Sequence, residues 1–157
     1  MEKTEYDLTI NNTDENGLFI WSSAVRCYEI DYQGIVNNSL YFSYFEQARS
    51  EHLAALGINW FELHDKGIDA VLIHVDMSIK AALSMFDKFY VTSKIEKSGR
   101  LKIIFHQKIF KAISDILVSE SINTVVCVST TTKRPILPKE IDNLLFNPQN
   151  SNHEPIP

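Results

Sequence analysis

Apolar positions change their spacing along the chain, and each change marks an element. From Leu18 to Ile30 the run LFIWSSAVRCYEI has strand composition, with loose alternation from Ala24 onward. Residues 31–38 read as a turn. Residues 39–56, SLYFSYFEQARSEHLAAL, predict the main helix, with Asn37, Asn38 and Ser39 as candidate caps and Gly57 where a helix stops. NWFELHDKG predicts one or two further helical turns ending at Gly67.

Beyond Gly67 the period becomes two. In DAVLIHVDMSIKAAL, Val71, Ile73, Val75, Met77 and Ile79 alternate with His74, Asp76, Ser78 and Lys80, which predicts a strand. DKFYVTSKIEK, LKIIFHQKIFKA and ILVSESINTVVCVSTTT predict three more, joined by SGR and ISD turns. The order is strand, long helix, then four strands in meander-like succession. This is not the strand–helix alternation of a parallel sheet. It predicts an α+β domain in which an antiparallel sheet packs on one helix. In the helix, Leu40, Tyr41, Phe42, Tyr44 and Phe45 leave almost no polar stripe, so the first half must be enclosed on most sides. The second half is more amphipathic, with Glu46, Gln47, Arg49, Ser50, Glu51 and His52.

Length bounds the rest. One domain fits 157 residues, and we place it at 18–140, between a loose polar arm at 1–17 and a polar tail at 141–157. A composition 45% hydrophobic and 22% charged is that of a globular protein. The formal net charge of −5 argues against nucleic acid as a partner. No apolar run is long enough to span a membrane, and the acidic start is unlike a secretory signal, so the expected location is cytoplasmic. Cys27 and Cys127 lie in apolar runs without CxxC spacing and are read as buried free thiols. The histidines show no metal-ligand spacing, and no Gly-rich phosphate loop is present, so neither metal nor cofactor is expected.

The candidate chemistry lies in EIDYQGIVNNSLYFSYFEQAR, residues 29–49. A carboxylate before a helix can be structural, because acids stabilise the positive helix end by about 0.3–1 kcal/mol. Asp31, however, is followed by Gly34, which permits a tight backbone path or the close approach of a ligand. The helix start then offers free N–H groups to an oxyanion. An acid beside such amides is what hydrolysis of an activated acyl group needs.

The same residues resemble the signature of the hotdog-fold thioesterases, nearest to the 4-hydroxybenzoyl-CoA thioesterase and YbgC-like acyl-CoA thioesterase group. Asp31, Gly34, Val36, Tyr41, Glu46 and Arg49 match its Asp-x-x-Gly-x-Val, Tyr and Glu-x-x-Arg positions. Asp87 and the KRPILP segment at 133–138 resemble later family features, and the likeness covers about residues 20–140. The resemblance implies a hotdog fold, a five-stranded antiparallel sheet wrapped around a long central helix. It also implies an acyl-CoA or acyl-carrier-protein thioester as substrate, and a homodimer or homotetramer with sites at the subunit interface. Asp31 would be nucleophile or general base, and the Asn38 backbone N–H would polarise the thioester carbonyl. The chain departs from many members in having Asn38 where they carry His, and Ile35 where others do, which leaves no imidazole in the loop.

Other residues have two readings each. Glu46 is a second acid at the substrate or a partner of Arg49. Tyr41 lines the acyl pocket or packs the core. His74 reaches the pocket or stays on the polar face of its strand. Lys80, Lys88, Lys94, Arg100, Lys133 and Arg134 meet coenzyme A phosphates or form a solvated face. A non-catalytic acyl-binding protein of the same fold is the alternative to an enzyme.

Overall fold

The computed structural model describes residues 12–13 and 17–147. Its order is β1 (Asn12–Thr13), β2 (Phe19–Ala24), a 3-10 turn (Cys27–Glu29), α1 (Asn38–Ala55), α2 (Trp60–Asp65), β3 (Ile68–Ile79), β4 (Lys88–Ser98), β5 (Lys102–Lys111), β6 (Leu117–Ser129) and α3 (Lys139–Phe146). Five long strands form one antiparallel sheet around α1, extended by the two-residue β1. The strand order is β1-β2-β4-β5-β6-β3. Only β4, β5 and β6 form a meander. The strand after the helices, β3, crosses to the far edge and pairs with β6 alone. The rest of the arm expected at 1–17 lies outside the described residues.

Local chemistry sets both ends of α1. The Asn37 side chain accepts from Ser39 N–H at 3.0 Å, an N-cap. At the other end, Gly57 N–H donates to Ala54 O and Ile58 N–H to Leu53 O, with Gly57 at φ +80. This is a Schellman stop, and Ile58 and Leu53 share a core cluster, as that motif favours.

The core is in two parts along α1. Tyr41, Tyr44, Phe45 and Ala48 pack with Val25, Val36, Leu83, Phe89 and Val91. Leu53 packs with Ile58, Leu63, Ile103, Phe105 and Cys127.

Four expectations are corrected. The strand at 18–30 stops at Ala24, because the Glu29 side chain accepts from Arg26 N–H at 2.8 Å and closes a 3-10 turn. Cys27 sits in that turn and is exposed, while Cys127 is buried. The alternation in β3 breaks at a bulge between Leu72 and His74. Ala70 and Leu72 therefore pack inward against the second core cluster, leaving Val71 and Ile73 exposed. The polar tail does not begin at 141. α3 runs to Phe146, buries Ile141 and packs Leu144 and Leu145 on the core.

The largest departure concerns the second half of α1. Arg49 and His52 are buried, 7% and 2% exposed. They share the inward stripe with Phe45, Ala48 and Leu53, and polar residues of the sheet meet them. Arg49 Nη1 donates to Gln107 Oε1 at 3.1 Å, and Asn123 Nδ2 donates to the same oxygen at 3.0 Å. Gln107 Nε2 donates to Phe45 O at 3.0 Å. His52 Nδ1 meets Ser93 Oγ at 3.1 Å, and its ring stacks on Phe19 with centroids 4.8 Å apart.

Candidate active site

A small hairpin carries Asp31. Ile30 pairs with Val36, and Asn37 N–H donates to Glu29 O at 3.0 Å. At the tip, Gly34 N–H donates to Asp31 O at 3.0 Å, and Asp31 N–H to Ile35 O at 2.9 Å. Gly34 takes φ +78, a conformation that favours glycine. No heavy atom lies within 4 Å of where a Cβ would stand, so its requirement here is conformational. One Asp31 carboxylate oxygen accepts from Gln33 N–H at 2.7 Å. That Asx turn fixes the side chain while the residue stays partly open to solvent.

The hairpin is moored to the segment before β4. Val36 N–H donates to Leu83 O at 2.8 Å, and Ile35 pairs with Ser84. Tyr41, one turn into α1, is buried and its hydroxyl accepts from Leu83 N–H at 3.2 Å. Burial raises the Tyr41 pKa, and the negative charges of Asp31 and Asp87 raise it further, so Asp31 lies within Coulomb reach of the first turn. Asp87 Oδ2 accepts from Ser84 N–H at 2.9 Å and from Lys111 Nζ at 3.1 Å. Partial burial pushes that carboxyl up, but these two donors outweigh it and hold it below the usual carboxylate range.

The first helical N–H groups are disposed unequally. Ser39 N–H goes to the Asn37 side chain and Leu40 N–H to Asn37 O. Asn38 N–H, the first of the helix, has no acceptor among the described residues. An unpaired donor at the positive end of an 18-residue helix suits an oxyanion.

The expected site residues separate in space. Asp31, Gly34, Asn38 and Tyr41 come together at the hairpin and the helix start. Glu46 is exposed two turns further along and lines a cleft with Arg49. His74 is exposed on edge strand β3, opposite Thr124, and no contact among the described residues joins it to Asp31. One feature escaped the sequence reading. Glu29 is only 5% exposed and accepts from Arg26 N–H, from Arg26 Nη1 at 3.1 Å and from Tyr44 Oη at 2.7 Å. It clamps the strand entering the hairpin to the second turn of α1. The Arg26–Glu29 spacing of three residues was the available signal, but a glutamate in a polar run does not announce burial.

The match to a family model decides the affiliation. The thioesterase-like superfamily model matches residues 25–145. The chain belongs to the thioesterase-like superfamily, a family of thioester hydrolases. A solved structure from Aquifex aeolicus is 34% identical, covers 81% of this chain and 98% of that one, and superposes with a TM-score of 0.74. The chain is 36% identical over 87 residues to the acyl-acyl carrier protein thioesterase ATL3 of Arabidopsis thaliana, covering 55% of this chain and 46% of that protein. It is 26% identical over 125 residues to the acyl-CoA thioester hydrolase YbgC of Escherichia coli, covering 79% of this chain and 92% of that one. The hotdog fold of this thioesterase family is the architecture described above.

Proposed function

We propose that this thioesterase hydrolyses an acyl-CoA thioester, with Asp31 as general base or nucleophile and the Asn38 backbone N–H as oxyanion donor. The carrying observation is the pairing of a partly open carboxylate, fixed by Gln33 N–H, with an acceptor-free amide at the start of α1. In the water-mediated form, Asp31 takes a proton from water as its oxygen attacks the thioester carbonyl. The carbonyl oxygen gains negative charge and meets the Asn38 N–H. Collapse breaks the C–S bond, releasing a carboxylic acid and the coenzyme A thiol. In the nucleophilic form, Asp31 forms a mixed anhydride that water then opens. No imidazole is needed, consistent with Asn38 and Ile35 at positions where relatives carry His.

Gly34 lets the thioester approach the hairpin tip. Tyr41 forms the floor beneath it, with its hydroxyl already engaged by Leu83 N–H. Glu46 and His74 lie too far along α1 and β3 to act on the same chain's Asp31. Their role at the substrate requires a second subunit. The unpaired edge of β3, with Val71, Ile73, Val75 and Ile79 exposed, supports a homodimer built through that edge. The folded domain is read as residues 18–146, in the cytoplasm. An acyl-carrier-protein substrate is the second reading, favoured by the 36% identity to ATL3.

The test is thiol release from a panel of acyl-CoA and acyl-carrier-protein thioesters, with Asp31→Asn alongside. A loss of about 100-fold or more in kcat, with Tm unchanged, supports the assignment. Equal rates remove Asp31 from the chemistry. Turnover of carrier-protein esters alone selects the second reading.

A further inference from the structure

The turn that leads into β4 holds one residue in a conformation that its side chain disfavours. Asp87 N–H donates to Ser84 O at 3.1 Å and closes a β-turn over Met85 and Phe86. Phe86 takes φ +66, the left-handed region, where a bulky side chain is strained. Among the described residues the other non-glycines with positive φ are Asp115 and Lys133, whose polar side chains suit an exposed turn. Packing does not offset the strain at Phe86, because the residue is 72% exposed, and Met85 beside it is also exposed.

The turn is nevertheless held firmly. Asp87 Oδ2 accepts from Ser84 N–H within it and from Lys111 Nζ on β5. Asp87 O accepts from Val25 N–H at 2.9 Å. Ser84 pairs with Ile35, whose carbonyl accepts from Asp31 N–H. Phe86 therefore stands two residues beyond the bridge that moors the Asp31 hairpin. The charges of Asp31 and Asp87 both act on the Tyr41 hydroxyl, so both acids lie near one point at the start of α1. β5 and β6 separate β4 from edge strand β3, which puts the turn away from the edge assigned to a second subunit.

We propose that Phe86 is a specificity-determining residue, whose ring forms an apolar wall for the acyl chain of a thioester held at the Asp31 hairpin. This deepens the reading that the thioester meets the hairpin, and rests on it. The attachments of Asp87 and Ser84 over-determine the turn, so the strained backbone persists and the ring stays uncovered. The side chains of Met85 and Phe86 offer apolar surface and no N–H or O–H donor. Such a surface suits an alkyl or aryl chain and not the amide-bearing arm of coenzyme A. Contact area grows with chain length, so the wall favours longer chains over short ones.

S-butyl-CoA and S-octyl-CoA, thioethers that cannot be hydrolysed, are titrated calorimetrically against the parent, Phe86→Gly and Phe86→Leu. The parent is expected to bind the octyl ligand about 10-fold or more tighter than the butyl ligand. Phe86→Gly weakens octyl binding by about 10-fold and leaves butyl binding unchanged. Its Tm is at or above that of the parent, because glycine accepts the positive φ without strain. Phe86→Leu restores an apolar side chain and keeps most of the octyl preference. An octyl preference unchanged in Phe86→Gly, an equal loss for both ligands, a lowered Tm, or no saturable binding of either ligand overturns the proposal. Thiol release by Asp31→Asn is measured alongside. Full activity there, with the octyl preference lost in Phe86→Gly, removes Asp31 from the chemistry and leaves the wall. Lost activity there, with the preference intact in Phe86→Gly, removes the wall alone.

Discussion

The two ends of α1 handle polar groups in opposite ways. At the start, chemistry is built from backbone. A hairpin with a left-handed glycine, an Asx turn and a helix cap present one carboxylate and one amide toward solvent. In the second half it is built from side chains. Arg49 and Asn123 are buried and bonded to Gln107, and His52 is buried and bonded to Ser93. The first arrangement tolerates loss of a side-chain function with little loss of stability, because water replaces the missing partner. The second does not, because each removed partner strands another buried polar group.

The sharpest way to break this contrast is a paired measurement. Asp31→Asn is expected to lose activity by about 100-fold or more with Tm held. Gln107→Leu is expected to lower stability by about 3 kcal/mol, because Arg49 and Asn123 both lose their shared acceptor. Thermal and urea unfolding beside thiol release decide it. The contrast fails if Gln107→Leu unfolds like the parent.

Acid sharpens it next. Burial holds His52 neutral, with its pKa pushed down to about 4 from an ordinary 6.5. The unfolded chain binds the extra proton between these values, so stability is full above about pH 6.5 and falls as pH drops toward 4. The loss across that window is about 3 kcal/mol, and His52→Gln flattens it. The exposed His64–Asp69 pair works in the opposite direction, favouring the folded state at lower pH, but solvent screening keeps its contribution small. Urea unfolding at pH 7, 6 and 5 provides the check; an unchanged midpoint would exclude burial of His52.

The smallest effect belongs to the cap. Asn37→Ala removes the acceptor for Ser39 N–H and is expected to cost about 1 kcal/mol. Because that N–H neighbours Asn38, kcat should also fall by a few-fold. A stability loss with kcat intact would separate the cap from the proposed oxyanion donor.

These differences track what was legible in the sequence. The helix expected at 39–56 is found at Asn38–Ala55, because its caps are local signals. Asp31, Gly34 and Asn38 share one short motif, and short-range turns bring them together. Long-range placement was not legible. Nothing in the order of strands sends β3 to the far edge, and the bulge that exposes Ile73 has no marker glycine. Arg49 and His52 stand among the polar residues of the amphipathic second half of the helix, where charge ordinarily means solvent. Only the polar residues facing them across 41 to 58 positions, Ser93 from His52 and Gln107 from Arg49, explain their burial.

The 3-10 turn before the hairpin has a practical use. It leaves Cys27 on the surface, whereas burial pushes the Cys127 thiol up to about 11. A thiol-directed dye at neutral pH therefore goes to Cys27, four residues ahead of Asp31 and rigidly joined to Glu29. Without any engineering, the native chain carries an attachment point from which a fluorophore can test in real time whether a thioester reaches the proposed site at the hairpin.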